Sequence, residues 1–145
     1  MQKFVVSILL ILLYTIAHAQ RYEFQNLSTD DGLPSSEVYA LLQDSKGYIW
    51  GSTDAGVFRY NGESFTTYTK LEGAPDNTVF HLVEDRFGRI WMSGFNGQVS
   101  YFQNDTFHAI GCNGQLVKML KGGQVIYSMG IGEGDTLWLG TTDRL

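Results

Sequence analysis

Beyond residue 20 the histidines of the chain are His81 and His108, the side chains best suited to acid–base or metal chemistry near neutral pH. Neither belongs to a cluster of His, Cys or carboxylate residues with metal-ligand spacing. His81 takes a position at which two related segments of the chain have Ala40 and Ser128. This departure indicates a ligand contact, although a hydrogen-bonded histidine on a strand face is the favoured interpretation. We expect His108 to face solvent.

The aspartates fall into two groups. Asp44 and Asp85 recur at matching positions, but each begins a turn that ends in glycine, where a carboxylate accepts hydrogen bonds from the turn itself. We therefore expect a structural role for both. The second group, Asp30, Asp31 and Asp54, lies on loops that would share one rim of the fold. There these residues could line a polar pocket or a weak cation site. The favoured interpretation is that they are solvated loop residues. The sequence does not place two carboxylates as a catalytic pair across a cleft. Neither group of aspartates therefore predicts a catalytic residue, a metal site or a cofactor.

The charge balance of the chain is acidic. Its 145 residues include fifteen Asp and Glu against ten Lys and Arg, for a net charge of −5. No run of basic residues occurs, which argues against the clustered Lys and Arg of a nucleic-acid surface. Cys112 is the one cysteine, so no intramolecular disulfide can form.

The first residues have the features of an export signal. Lys3 precedes an apolar run over residues 4–16, and Ala17-His18-Ala19 has the small-x-small pattern that signal peptidase cleaves. The rival interpretation is a membrane anchor, but the run is shorter than the roughly 17–25 residues of a membrane span. The sequence therefore predicts a signal peptide over residues 1–19 and an exported region over residues 20–145.

The elements that position the candidate residues are repeats. Residues 32–68 recur, with a shift of about forty, as residues 73–110, and a partial third copy covers residues 120–145. The second copy has one residue more than the first, and the alignment places it in the turn at 102–105. The matched positions include Pro34 with Pro75, Asp44 with Asp85, Gly47 with Gly88, and Trp50 with Trp91 and Trp138.

Each repeat contains short runs of strand-forming residues separated by turn residues. Apolar residues do not recur with helical spacing, so no helix is predicted. Four antiparallel strands per forty residues predict an all-β fold, a β-propeller of four-stranded antiparallel blades. Trp50 would fill the wedge between neighbouring blades, with Ile49 and Ile90 packing on the opposite strand face. The runs are 38–43, 48–53, 57–60 and 64–68 in the first copy, mirrored by 79–84 and 89–93 at the start of the second.

The region after the predicted signal peptide does not start at the beginning of a repeat. Residues 22–28 match residues 63–69, the fourth run of the first copy, and are therefore predicted to form a ring-closing strand of the last blade. Two blades and part of a third cannot close a ring, and an open array exposes an apolar blade face. We therefore expect residues 20–145 to be an incomplete N-terminal propeller fragment of a longer protein.

The repeat resembles the two-component regulator propeller repeat over nearly all of the region after residue 20. It departs from that pattern at residues 51–53, where the family usually has an apolar residue before Gly-Thr, and the third copy lacks the Asp and Gly that precede the tryptophan. The first copy carries the family's motifs almost throughout: Gly32-Leu33-Pro34, Val38, Asp44, Gly47, Ile49-Trp50, Gly56-Val57 and Tyr60.

The resemblance implies a part in a larger protein. Such repeats usually form the extracytoplasmic sensor of a transmembrane histidine kinase, often a hybrid one, and many of these sensors respond to breakdown products of polysaccharides. The expected partners are a carbohydrate or other small-molecule ligand, the downstream kinase part of the same polypeptide, and a second copy in a homodimer of the parent. The alternatives are an exported propeller enzyme of the glycosidase or lyase type, and an adhesion or scaffold propeller.

Overall fold

The structure, a computed structural model, describes residues 24–120 and 124–142, which form ten strands in three antiparallel sheets. The predicted signal peptide and its cleavage site lie outside the described residues. The first sheet contains β1 (Val38–Gln43), β2 (Ile49–Thr53), β3 (Gly56–Tyr60) and β4 (Phe65–Tyr68). The second contains β5 (Val79–Glu84), β6 (Ile90–Gly94), β7 (Val99–Gln103) and β8 (Thr106–Ala109). The third pairs β9 (Ile126–Ile131) with β10 (Leu137–Thr141).

Each four-stranded sheet is a simple antiparallel meander. Its strands pair in the order in which they follow one another in the chain, β1-β2-β3-β4 and β5-β6-β7-β8. The predicted runs agree with these strands to within one residue at each end. Glycines at the turns explain much of this agreement, since Gly47 (φ 90°) and Gly88 (φ 72°) adopt the left-handed conformation that their turns require. The predicted all-β fold of propeller-type blades is confirmed.

The two complete sheets pack face to face through an apolar core. Trp50 on β2 is only 1% exposed and shares this core with Ile90 and Met92 of β6 and Phe102 of β7. The rings of Trp50 and Phe102 meet edge to face, with centroids 5.0 Å apart. Each large apolar side chain buried in this way stabilises the fold by about 1.5–3 kcal/mol. Trp50 therefore lies between the two neighbouring blades, as the sequence predicts.

Asp44 and Asp85 cap their turns as predicted, and each also holds the tryptophan of its own blade. One oxygen of Asp44 accepts hydrogen bonds from two turn N–H groups, at 3.0 and 2.9 Å, and the other accepts the Trp50 indole N–H at 2.8 Å. Asp85 bonds to the Trp91 indole N–H in the same way, also at 2.8 Å. Burial raises the pKa of Asp85, but the bonds from Trp91 and from the neighbouring turn outweigh it, so the pKa lies below its ordinary value.

The structure corrects two of the sequence predictions. Residues Asn113–Met119 form a helix, α1, between β8 and β9, where the sequence predicts none; seven residues are too few to show a helical period clearly. The additional residue of the second copy lies in the β6–β7 turn and not at 102–105. Four residues separate Ser52 from its β3 partner Val57, whereas five separate Ser93 from Val99.

The segment before the first blade still follows the repeat. Residues 24–28, the described part of the predicted ring-closing strand, form no strand, so that role stays a prediction. Ser28 nevertheless donates from its N–H and its hydroxyl to Asp31, at 2.8 and 2.9 Å. Thr69 donates in the same way to Glu72 after the first blade, at 2.6 and 2.7 Å. These matching capping boxes support the equivalence of the two segments.

Candidate functional site

A β-bulge recurs on the first strand of each sheet, and each time the bulged residue is aromatic. The β1–β2 ladder passes from Val38 to Ala40 and leaves Tyr39 unpaired. Phe80 and Tyr127 are left out of the β5–β6 and β9–β10 ladders in the same way. A bulge turns its side chain away from the regular alternation of the strand. The three blades therefore present a row of aromatic rings along their first strands, and those of Tyr39 and Phe80 have centroids 5.1 Å apart.

These rings line an open cleft with a volume of about 390 Å³. Phe95, from the longer β6–β7 turn, continues the aromatic lining, with its ring centroid 6.0 Å from that of Phe80. Tyr39, Phe95 and Tyr127 are 41%, 59% and 66% exposed, so much of their apolar surface contacts solvent. An open concavity with exposed aromatic rings is typical of a small-molecule site. We call this group of Tyr39, Phe80, Phe95 and Tyr127 the aromatic cleft.

His81 lies on β5 and lines the aromatic cleft. Its Nδ1 is 3.1 Å from the Oγ of Ser93, a side chain that is buried at the base of the ring. The favoured interpretation, a hydrogen-bonded histidine on a strand face, describes this geometry, and contact with a ligand stays a prediction. His108 is exposed on β8, where its ring stacks on Tyr101 at 5.0 Å.

The corresponding positions in the other sheets lack this hydrogen-bonded pair. Ala40 stands opposite Ser52 in the first blade, and Ser128 stands opposite Gly140 in the third. The Ser52 hydroxyl is fully buried and has no hydrogen-bond partner among the described residues. His81 therefore brings a polar ring to a position that is apolar in the first blade.

The three candidate loop aspartates do not line the cleft. Asp31 is engaged in its capping box, which holds the pKa of its carboxyl below the usual range, and Asp30 is exposed in the same turn. Asp54 is exposed in the β2–β3 turn. Its negative charge makes a small contribution to the raised pKa of the Tyr39 phenol, which is caused mainly by the hydrogen bond from Tyr39 to Glu37. Among residues 24–120 and 124–142 no three His, Cys, Asp or Glu side chains are grouped to hold a metal.

Reasoning from the sequence missed the aromatic cleft, although a signal for it exists. An aromatic residue directly follows an aliphatic one at the same position of each repeat, in Val38-Tyr39, Val79-Phe80 and Ile126-Tyr127. Strict alternation places two successive residues on opposite faces of a strand, so the pattern alone does not reveal that a bulge re-aims the second one.

The sequence profile of the two component regulator propeller family matches residues 32–55 and 73–96. Residues 32–55 and 73–96 are thus two-component regulator propeller repeats. Each match covers the loop before a blade and its first two strands, which carry the bulged aromatic residue and the aspartate–tryptophan pair. No curated protein matches the chain significantly.

Two solved structures from B. thetaiotaomicron share the fold of these repeats. The extracellular domain of BT3049, described as a hybrid two component system, superposes with a TM-score of 0.67 over 82% of this chain at 21% identity. The extracellular domain of BT4673, also described as a hybrid system, gives 0.62 over 86% at 19% identity. The chain spans 18% and 16% of those two chains. No helix among the described residues is long and apolar enough to cross a membrane.

Proposed function

We propose that the chain is the extracytoplasmic ligand-sensing region of a transmembrane two-component sensor histidine kinase, held at the periplasmic face of the inner membrane. Its regulator propeller repeats support this proposal, as does the export signal predicted over residues 1–19. The fold is that of extracellular domains from proteins described as hybrid two component systems. Phosphoryl transfer is assigned to the kinase part of the same polypeptide.

The ligand of the sensor is a polysaccharide-derived saccharide, and the aromatic cleft is the observation that carries this proposal. A sugar ring has an apolar face of C–H groups and a rim of hydroxyls. It can therefore stack on flat aromatic side chains while its hydroxyls bond to water and to polar groups. The cleft volume of about 390 Å³ falls within the range of roughly 300–1,000 Å³ that is usual for small-molecule sites.

The test uses the full gene product in lipid vesicles and a panel of neutral trisaccharides: maltotriose, cellotriose, xylotriose and mannotriose. Binding is measured by calorimetry and signalling by autophosphorylation. At least one trisaccharide is expected to bind and to change the phosphorylation rate. Phe95→Ala and Tyr127→Ala should each weaken that binding about two- to twelvefold, because a stacked ring contributes about 0.5–1.5 kcal/mol.

Phe87→Ala is the matched control for Phe95→Ala. Phe87 is 54% exposed against 59% for Phe95, but it lies in the β5–β6 turn, outside the cleft lining. Binding unchanged in Phe87→Ala supports the proposed site. Absence of binding by all four sugars overturns the saccharide proposal. If the coding frame contains no membrane helix and no kinase, the sensor-kinase proposal is overturned. The saccharide site in the aromatic cleft is then still tested separately by calorimetry.

A further inference from the structure

We infer that His81 presents its Nε2–H to an acceptor oxygen of the ligand in the aromatic cleft and thereby sets the position and orientation of that ligand. The inference rests on the proposed function, because it assigns one polar contact within the proposed saccharide site. It is carried by the hydrogen bond between His81 and Ser93, by the burial of Ser93, and by the position of His81 in the cleft lining.

The bond to Ser93 selects one tautomer of the His81 ring. The Ser93 side chain is 1% exposed, and among the described residues its hydroxyl has His81 Nδ1 as its hydrogen-bond partner. A buried hydroxyl that donates to nothing loses its hydrogen bond to water without replacement, so the Ser93 O–H is expected to donate to Nδ1. Nδ1 is then the acceptor nitrogen of the neutral ring, and Nε2 carries the proton.

The same bond determines where that proton points. Nδ1 is directed at the buried Ser93 of β6, so Nε2, on the opposite edge of the ring, is directed away from Ser93. His81 is half-buried and lines the cleft, which places this edge beside the aromatic rings. The aromatic cleft therefore contains one imidazole N–H, and the hydrogen bond from Ser93 to Nδ1 fixes the direction of that N–H.

At this position the second repeat has a histidine, whereas the first and third repeats have Ala40 and Ser128. Ala40 in the first blade has no polar side-chain atom, and the hydroxyl of its neighbour Ser52 has no hydrogen-bond partner within the part of the chain that the structure describes. The first blade shows that the fold accommodates an unpartnered serine at this place. The blade therefore does not require the hydrogen bond between His81 and Ser93 for folding. Contact of His81 with the ligand accounts for the presence of this pair in the second blade.

The chemistry defines the ligand group that His81 would bind. A neutral N–H donor among aromatic rings suits an uncharged oxygen acceptor, such as a sugar hydroxyl or ring oxygen, next to an apolar C–H face. Aromatic stacking along the row tolerates many registers, whereas one directional donor selects among them. His81 is thus a positioning and specificity residue of the cleft.

Two conservative variants separate the donor role from a structural role in the full gene product. In His81→Gln the amide nitrogen can take the place of Nε2, whereas in His81→Asn the shorter amide can take the place of Nδ1 and keep the link to Ser93. The probe is the trisaccharide of the four-member panel that gives the largest calorimetric signal. We expect about tenfold weaker binding for His81→Phe and His81→Asn, and recovery to within about threefold for His81→Gln. His108→Phe, on the outer strand, is the control and should bind as the wild type does.

The outcomes distinguish this inference from the proposed function. If Phe95→Ala weakens binding but all three His81 variants bind as the wild type does, the cleft stands and the donor role of His81 is refuted. If His81→Asn retains binding and His81→Gln loses it, the histidine acts through Ser93 as a structural support, which also overturns the inference. If none of the four trisaccharides binds, the proposed saccharide site fails and this inference fails with it.

Discussion

Replacing Asp44 removes the acceptor that holds Trp50 in the interface between the two complete sheets. The carboxylate accepts two turn N–H groups, at 3.0 and 2.9 Å, and the Trp50 indole N–H at 2.8 Å. Trp50 is only 1% exposed, so water cannot reach its indole N–H in the folded blade. After Asp44→Ala this donor stays buried without an acceptor, and the turn N–H groups depend on solvent.

The magnitude follows from these contacts. A hydrogen bond to a charged group contributes about 1.5–3 kcal/mol, and a buried donor left unsatisfied costs about 1–3 kcal/mol. Because the turn lies at the surface, water replaces much of what its two N–H groups lose. We therefore expect Asp44→Ala to lower the local unfolding free energy of the first blade by about 3 kcal/mol. Asp44→Asn should cost about 2 kcal/mol, since its amide oxygen still accepts from the turn while its NH₂ group faces the indole N–H.

Hydrogen–deuterium exchange with mass spectrometry on the full gene product measures this local effect. A loss of about 3 kcal/mol corresponds to roughly hundredfold faster exchange of the β1 and β2 amides if they exchange through local opening. Asp30→Ala is the control, because Asp30 is exposed and should leave exchange in the blade unchanged. An increase of less than about fivefold in Asp44→Ala would refute the claim that this carboxylate anchors the tryptophan.

Two further predictions use the same exchange measurement. A Cβ at Gly51 would overlap the Phe58 ring, whereas the second blade has Met92 and Ser100 at the equivalent positions. Gly51→Met should therefore destabilise the blade by about 1–3 kcal/mol, and adding Phe58→Ser should recover most of this loss; no recovery contradicts the equivalence. The depressed pKa of Asp85 gives stability that is present above the unfolded-state value of about 3.9 and is lost as pH falls through the lower folded-state pKa. Protection of the β5–β6 turn, corrected for intrinsic exchange, should therefore fall below about pH 4 in the wild type; an equal fall in Asp85→Asn would exclude Asp85 as the cause.

The strands and their order could be predicted from the sequence because they depend on local and periodic signals. Glycine at a left-handed turn position and aspartate at the turn start act within a few residues of each other, and the forty-residue period repeats them. The wedge role of Trp50 followed from the same period, since a large apolar residue recurring on the second strand must meet the neighbouring blade. Each of these features is determined by residues that are close in sequence or related by the repeat.

The short helix α1 and the place of the additional residue were not predictable in the same way. Helix α1 comprises seven residues, and its formation depends on the connection between β8 and β9 more than on a periodic apolar face. The additional residue was assigned to the wrong turn because Gly56 and Gly97 align well by residue type. The strand ladder decides the question, since it pairs Ser93 with Val99 and lengthens the turn that carries Phe95.

By itself the sequence determined the repeat, the all-β blade and the turn aspartates, because short-range backbone preferences and a regular period dictate them. Only the tertiary structure decided that Tyr39, Phe80, Phe95 and Tyr127 form one cleft and that His81 stands in it. Their proximity requires bulges that leave the strand alternation and blades that pack side by side, so residues about forty positions apart become neighbours. A binding site of this kind is formed by adjacent blades together, so the sequence of a single repeat does not predict it.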